Sequence, residues 1–306
     1  MKKILLSTAL LSATAGMAAA EITLSGSGRF GLQYVEGRAQ ETQLEFRFRT
    51  EFNGKVETDS GVTFGGRVRL QSSSTGGSGG GATLSAAYLS ASYEGLTGQV
   101  GNANGAADSV ALAYNSEIGY TGFGAGDPIN MGSGFSSGPY AGTPNRVGIF
   151  VAYSVGDLNV RASYHTNDQT ISNAVEEYSV SADYVFGAVT VAAAYMNNPG
   201  RVDDTDGYFL GAEYAIGDAG NIGLLYFDEN GVTSATDSNK VTLYGNYTFD
   251  AITVRAFVSS GDNLGTEDTA YGLGVDYDLG GATLAAGVQQ DFAGETQAEV
   301  GVKFGF

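Results

Sequence analysis

The sequence predicts an all-β fold: a transmembrane antiparallel β-barrel of about 16 strands, with a long third loop folded into the lumen. Apolar residues recur at every second position in segment after segment, which is the period of a strand with one apolar and one polar face. No segment beyond the N-terminus reaches the roughly 18 to 20 consecutive apolar residues that a membrane helix needs. Strands can cross a bilayer only as a closed barrel, because lipid offers no hydrogen-bond partner to a free backbone edge.

The N-terminus has the features of a secretory leader. Lys2 and Lys3 form a short positive region, residues 4–11 are mostly apolar, and residues 18–20 are the small alanines that a signal peptidase requires. The apolar stretch is too short to span a bilayer as a helix. Residues 1–20 are therefore predicted to be a signal peptide, and residues 21–306 a single barrel domain that begins at Glu21.

Composition and charge exclude several classes of protein. The chain has 47 glycines, 18 tyrosines, 4 prolines and a mean hydropathy of -0.05, as expected of many turns and half-apolar strands. The absence of cysteine excludes a disulfide scaffold and thiolate metal sites. A formal net charge of -18 argues against nucleic-acid binding, which requires a basic surface, although a soluble acidic protein would carry the same charge.

The first two strands show the alternation most sharply. The apolar face of the first consists of Ile22, Leu24, Phe30, Leu32 and Tyr34. The second places Leu44, Phe46, Phe48 and Phe52 on one face and Glu45, Arg47, Arg49 and Glu51 on the other. A soluble sandwich with its apolar face in a core is the alternative for any one strand. The pattern persists along the chain, which favours a barrel in lipid; it returns at residues 62–70, 147–153, 158–164, 178–184, 189–195, 208–214, 241–249, 252–258, 273–279, 284–288 and 300–306.

The strand ends and connections also fit a barrel with both termini on the periplasmic side. Seven tyrosines near strand ends are expected in the interfacial girdles: Tyr34, Tyr153, Tyr164, Tyr184, Tyr195, Tyr214 and Tyr277. Short turns are predicted at residues 53–54, 156–157, 186–187, 217–220, 249–250 and 280–281, and longer polar loops lie between them.

One connection is much longer: residues 101–145, between the fifth and sixth strands, form a Gly- and Ser-rich segment that is expected to fold inward and narrow the lumen.

At this point the chain resembles the general porins of Gram-negative bacteria, and most closely the Rhodobacter-type porins of alphaproteobacteria. The resemblance covers nearly the whole mature chain in strand count and order. Its specific motifs are few: the start at residues 21–26, the sequence at residues 100–106 that leads into the long loop, and the terminal Phe306. It implies a constriction at which an acidic loop faces basic side chains of the wall.

The sequence offers candidates for both sides of that constriction. The basic candidates lie on the polar face of the first three strands: Arg29, Arg47, Arg49, Arg67 and Arg69. The acidic candidates lie in the long segment: Asp108, Glu117 and Asp127, with Arg146 just past its end. Facing charges would set up a transverse field that favours hydrophilic solutes. From the residues alone, a solvated strand face on which the arginines pair with Glu45 and Glu51 is an equal alternative.

The resemblance further implies a general diffusion porin in the outer membrane, assembled as a homotrimer in contact with lipid and lipopolysaccharide. It would pass ions and small hydrophilic solutes without a cofactor, and the acidic excess would give a weak preference for cations. No residue pattern specifies the trimer, although Gly26 and Gly28 would allow a flat contact with a neighbour. Asp203, Asp204 and Asp206 offer a possible calcium site, although their spacing is not that of an EF-hand.

Three other classes of protein are alternatives to a porin. A barrel hydrolase would depend on His165, the single histidine, which lies at a strand end. A calcium-binding β-solenoid would need a nine-residue Gly- and Asp-containing repeat that the chain lacks. An outer-membrane adhesin or surface antigen shares the barrel but has no open pore, and the sequence discriminates it poorly. The chain is therefore predicted not to be an enzyme.

Overall fold

The computed structural model describes residues 20–74, 82–127, 147–231 and 237–306. Within these ranges a single antiparallel sheet of 17 strand segments forms a barrel, and two of the segments make one interrupted strand, β4, so the barrel has sixteen strands. Their bounds are β1 Glu21–Val35, β2 Thr42–Glu57, β3 Thr63–Ser73, β4 Thr83–Leu84 with Tyr88–Tyr93, β5 Leu96–Gly101, β6 Val147–Val155, β7 Leu158–Thr166, β8 Glu176–Phe186, β9 Val189–Asn197, β10 Asp206–Ile216, β11 Gly220–Asn230, β12 Ser238–Phe249, β13 Ile252–Asp262, β14 Thr269–Asp278, β15 Ala282–Gln290 and β16 Thr296–Gly305.

Closure occurs between the first and last strands. Each strand pairs with the next, and β1 pairs with β16 from Ser27 opposite Gly305 to Val35 opposite Gln297. The backbone of Phe306 extends this seam, since Gly26 and Phe306 exchange N–H···O bonds of 2.8 and 3.1 Å. The predicted closed barrel of about sixteen strands is confirmed. Of the described residues, none belongs to a helix long and apolar enough to span a membrane.

The two faces of the wall differ in the way that the alternation predicts. On the outer face, large apolar side chains are bare in the isolated chain, with Ile22 80% and Leu44 77% exposed. On the inner face, charged side chains are covered, with Glu45 4% and Arg69 6% exposed. This inversion of a soluble protein's pattern is what a bilayer requires, because the outer band contacts lipid while the lumen holds polar groups. It excludes the soluble sandwich.

The predicted tyrosines lie near both ends of their strands. Tyr153, Tyr184, Tyr214 and Tyr277 are exposed close to the short turns. At the opposite rim, Tyr164 packs on Tyr178 and Tyr195 on Tyr208, with ring centroids 5.2 and 5.0 Å apart. Two interfacial girdles result, as expected of side chains with an apolar ring and a polar tip.

Two sequence interpretations near β1 and β2 are wrong. Residues 53–54 do not form a turn, because β2 continues to Glu57 and the chain reverses at residues 58–62. Gly26 and Gly28 do not leave a flat open patch either. A Cβ at Gly26 would lie 2.6 Å from the Phe306 ring, and one at Gly28 would lie 2.4 Å from the Phe304 ring. These rings from β16 and the C-terminus therefore already fill the space.

Candidate pore constriction

Residues 102–127, the described part of the segment between β5 and β6, fold into the barrel, as the sequence predicts for the longer segment 101–145. Residues 128–145 and the following Arg146 lie outside the described part of the chain. We call residues 102–127 the inner loop. Near its start, the N–H of Ala106 donates to the Ser163 hydroxyl at 2.9 Å and to the Ser179 hydroxyl at 3.1 Å, and the Ser181 hydroxyl donates to the Ala106 carbonyl at 2.6 Å. The wall at β7 and β8 thus holds the loop through hydroxyl groups.

The middle of the inner loop reaches the seam of the barrel. The N–H and hydroxyl of Thr121 each donate to the Glu299 carboxylate at 2.7 Å. In return, Arg29 donates to the Thr121 carbonyl at 2.6 Å and Lys303 donates to the Gly119 carbonyl at 3.3 Å. The loop therefore spans from β7 and β8 to β16 and β1, and it crosses the lumen on the way.

The last described part of the inner loop is clamped against β12 and β15. Lys240 is fully buried, and its ammonium donates to the carbonyls of Ala125 at 2.8 Å and Asp127 at 2.5 Å. The N–H of Ala125 donates to the Gln289 side chain at 2.9 Å, and the Thr242 hydroxyl donates to the Gly126 carbonyl at 3.0 Å. We call Lys240, Thr242 and Gln289 the loop clamp.

Glycines on the inner face of the wall make room for the loop's side chains. A Cβ at Gly274 would lie 2.9 Å from the Cβ of Ile118, and one at Gly301 would lie 2.7 Å from the ring of Tyr120. Both loop residues are buried, at 1% and 2% exposure. A side chain at Gly274 would displace the inner loop, so the missing side chain there allows the loop to lie where it does. At Gly301 the added Cβ would also lie 2.5 Å from the Phe30 carbonyl of β1, so a side chain would clash with the wall as well as with the loop.

The five predicted basic residues all lie on the inner face, and four of them have a polar partner. Arg29 pairs with Glu45 at 3.0 Å, and Arg67 pairs with Glu51 at 3.6 Å. Arg69 also pairs with Glu51, and Arg49 donates to Gln71 at 2.8 Å. The cross-strand pairs that the alternative interpretation expected are therefore present, but they face the lumen and not bulk solvent.

Of the three predicted acidic residues, only Glu117 lines a cavity together with predicted basic residues of the wall. The Asp108 carboxylate accepts a hydrogen bond from Tyr114, and that of Asp127 from Ser116, so both are used within the inner loop. Burial raises the pKa of Asp108, and it raises the pKa of Asp127 to about 7. Glu117 has a pKa of about 8, raised first by burial and then by Asp127, and lowered by Lys303, Arg255 and Arg29.

Two cavities meet at Glu117. One, of about 560 Å³, is lined by Arg29, Arg47, Glu117 and Lys303 on the side of the short turns. The other, of about 250 Å³, is lined by Tyr114, Asn115, Glu117, Asn246, Arg255 and Lys303. Sequence reasoning missed Arg255 and Lys303 because it considered basic residues only in the first three strands. Both lie at inward positions of β13 and β16, where the same alternation indicates the lumen.

Asp203, Asp204 and Asp206 offer no converging ligand set. Throughout the part of the chain that the structure describes, no three acidic or histidine side chains come together as a metal site would require. Asp206 instead accepts a hydrogen bond from Asn230. The present arrangement therefore does not fit calcium, although carboxylate oxygens are the ligands that calcium prefers.

His165 is buried, at 2% exposure, away from the cavities at Glu117. Its Nε2 lies 3.1 Å from the Ala103 carbonyl, and its Nδ1 lies 3.8 Å from Glu177. These contacts tie the start of the inner loop to β7 and β8. A histidine in this place is covered by its own chain, which does not suit a catalytic base open to substrate.

The chain is similar to known porins over most of its length. Residues 7–296 match the family model described as Gram-negative porin. The porin of Fuscovulum blasticum is 44% identical over 294 residues, which cover 94% of this chain and 100% of the relative. The porin of Rhodobacter capsulatus is 28% identical over 318 residues, which cover 94% and 100%.

Solved structures give the same result. A double mutant of Rh. blastica porin has a TM-score of 0.86 at 42% identity, and a triple mutant of Rhodopseudomonas blastica porin has a TM-score of 0.85 at 42% identity. In each case the match covers 94% of this chain and 100% of the other. Because the family model matches residues 7–296 and a relative 44% identical is covered over its whole length, this chain belongs to the Gram-negative porin family.

Proposed function

We propose that this general diffusion porin of the Gram-negative outer membrane assembles as a homotrimer whose pores weakly prefer cations. We further propose that the mature chain results from removal of a signal peptide, residues 1–20. The path of the inner loop, from β7 and β8 across the lumen to the seam, supports the proposed position of the pore constriction. Membership of the porin family supports a channel for ions and small hydrophilic solutes rather than an enzyme.

The proposed constriction is the space between the inner loop and the seam. Arg29, Arg47, Arg255 and Lys303 line its cavities on the wall, and Glu117 lines both from the loop. Arg49, Arg67 and Arg69 would continue the basic wall, while Asp108 and Asp127 would shape the loop without facing the solute. At a pH at which Glu117 is ionised, the field between its carboxylate and the basic wall favours solutes with dipoles, which can align in it, over apolar solutes, which must displace ordered water.

The outer surface supports a trimer with one sector against its neighbours and the rest in lipid. The exposed aromatic residues of β1–β3 are phenylalanines: Phe30, Phe46, Phe48, Phe52 and Phe64. Those of β6–β14 include many tyrosines at both rims: Tyr153, Tyr178, Tyr184, Tyr208, Tyr214, Tyr247, Tyr271 and Tyr277. Since tyrosine suits the interface between lipid and water, we assign the tyrosine sector to lipid and lipopolysaccharide and the phenylalanine sector to protein contacts.

Purified mature protein in a planar bilayer tests this function. We expect ohmic conductance steps in groups of three, and a reversal potential under a potassium chloride gradient that shows a mild preference for cations. Raising the ionic strength should reduce that preference, because salt screens the charges of the lumen. Single steps would exclude the trimer, and a reversal potential of the opposite sign would exclude cation preference, whereas folded protein without steps would exclude the open pore.

The ionisation of Glu117 should make cation preference depend on pH. Its pKa is raised to about 8, so it is mostly protonated at neutral pH and becomes an anion in the lumen as the pH rises above that value. The reversal potential should therefore shift towards greater cation preference between about pH 7 and 9. In Glu117→Gln this shift should disappear, whereas Glu41→Gln in an exposed loop should retain it. An unchanged pH profile in Glu117→Gln would show that another group titrates.

A further inference from the structure

Three cationic side chains lie side by side at one level of the inner wall. In the strand register, Arg29 of β1 is directly opposite Arg47 of β2 on one side and Lys303 of β16 on the other. Like charges directly opposite each other on one face of a sheet repel and are destabilising. The chain retains this arrangement at the closure seam, where it faces the 560 Å³ cavity. We call these three residues the seam cations.

Two of the seam cations already have partners. Arg29 forms an ion pair with Glu45 at 3.0 Å and donates to the Thr121 carbonyl. Lys303 lies 3.6 Å from the Asp276 carboxylate and donates to the Gly119 carbonyl. Their positive charge is thus partly balanced, and their orientation is fixed by the inner loop.

Arg47 differs from its two neighbours. Among the residues that the structure describes, its guanidinium makes no ion pair and no hydrogen bond, and the half-buried side chain lines the cavity. A guanidinium presents several donors in a planar fork that matches the oxygens of carboxylate or phosphate. The hydroxyl groups of Ser27 and Thr283 line the same cavity and add donors that can rotate towards a bound anion.

We propose that Arg47, supported by Arg29 and Lys303, forms a binding subsite for small oxyanions, phosphate and carboxylate alike, on the turn side of the inner loop. The proposal rests on the pore location proposed above and names a class of solute that the pore retains briefly. The cavity volume is within the range of small-molecule sites. Glu117 and Asp278 also line the cavity, and the raised pKa of Glu117 leaves little repulsion from that carboxyl at neutral pH.

An oxyanion subsite is compatible with a pore that prefers cations overall. Selectivity reflects the summed charge of the whole lumen, whereas a subsite holds one solute against one part of the wall. Charge-assisted, bidentate hydrogen bonds give such a subsite its affinity, while weak binding allows the solute to leave again.

The test uses inorganic phosphate as the probe and the full mature porin in a planar bilayer. Single-channel conductance is measured in potassium chloride while phosphate replaces part of the chloride at constant ionic strength, and then with acetate as the carboxylate. For the wild type we expect a saturable fall in conductance with added current noise. In Arg47→Gln the half-saturating phosphate concentration should rise by about tenfold or more. Arg47→Lys keeps the charge but not the fork and should lie between the two.

Arg67→Gln is the matched control, because Arg67 is another half-buried arginine on the inner wall and is paired with Glu51. It removes the same charge but should retain saturable block by phosphate. Loss of block in both glutamine variants would assign the effect to the general field and overturn the subsite. Unchanged block in Arg47→Gln, or a conductance that does not saturate in the wild type, would also overturn it. Conductance in chloride alone reports separately whether the pore itself is open.

Discussion

Replacing Lys240 with methionine is expected to release the inner loop and to convert a quiet pore into a wider, noisy one. The ammonium of Lys240 is fully buried and holds the carbonyls of Ala125 and Asp127. Methionine fills a similar volume, but it leaves both carbonyls and the nearby Asp127 carboxyl without the cation. Leaving a buried acceptor without its donor costs about 1–3 kcal/mol.

The surroundings of Lys240 make the loss of its ammonium costly. The ammonium lies 5.4 Å from the ring centre of Phe227 and 5.9 Å from that of Phe292, so it is enclosed by aromatic rings and loop carbonyls. Each ring contributes a weak cation–π attraction. Water has little access to this place, which makes an unpaired carbonyl costly there.

Two measurements check the effect of Lys240→Met. Single-channel recordings should show a higher mean conductance with slow fluctuations between levels, and the folded barrel should lose its compact electrophoretic mobility at a lower temperature. Lys55→Met is the control, because Lys55 lies in β2 and its partner Glu21 is also exposed. It should change neither quantity. A quiet channel of wild-type conductance in Lys240→Met would show that the loop is held without the clamp.

The faces and the number of strands could be predicted from the sequence because the side-chain period of a strand is two. Phe46 and Phe48 beside Glu45 and Arg47 leave no doubt about which face is polar. The same logic failed for the turn at residues 53–54. Asn-Gly is a common hairpin turn, but here it lies within β2, which is 16 residues long.

The directions of the loop's acidic side chains could not be predicted from the sequence. Asp108 and Asp127 accept hydrogen bonds from hydroxyl groups of the same loop, six and eleven residues away. The irregular backbone of the loop decides which of its groups meet. The loop's anchors were missed for a related reason. Most of them join wall side chains to backbone carbonyls and amides of the loop, such as those of Ala106 and Thr121, and every residue type offers those groups.

The sequence alone also does not show why glycines occur in the strands, because the reason depends on where the inner loop lies. A glycine in a strand weakens it and often marks a close approach of another part of the chain, but the sequence does not name that part. Ile118 explains the glycine at position 274, because its side chain packs directly over Gly274 although the two residues are more than 150 positions apart in the chain. Whether a larger residue at position 274 stabilises or destabilises the barrel should therefore depend on the inner loop.

Gly274→Leu is expected to destabilise the barrel and displace the inner loop. Without the loop, leucine should suit a strand better than glycine, because glycine loses more conformational freedom on folding. With the loop present, the new Cβ would lie 2.9 and 3.1 Å from the Cβ and Cγ2 of Ile118, so one of the two must move. Overpacking of this kind costs about 1–3 kcal/mol. Conductance should change together with the thermal stability of the folded barrel.

Compensation at Ile118 distinguishes displacement of the loop from damage to the strand. Ile118→Ala makes room for the leucine, so the double variant should recover stability and conductance beyond the sum of the single effects, with a coupling of about 0.5–3 kcal/mol. Val275→Leu adds bulk on the lipid side of the same strand and should leave the conductance unchanged, because Val275 is 40% exposed. If the double variant shows no recovery, strain in β14 itself causes the loss, and the position of the inner loop does not depend on the glycine surface beneath it.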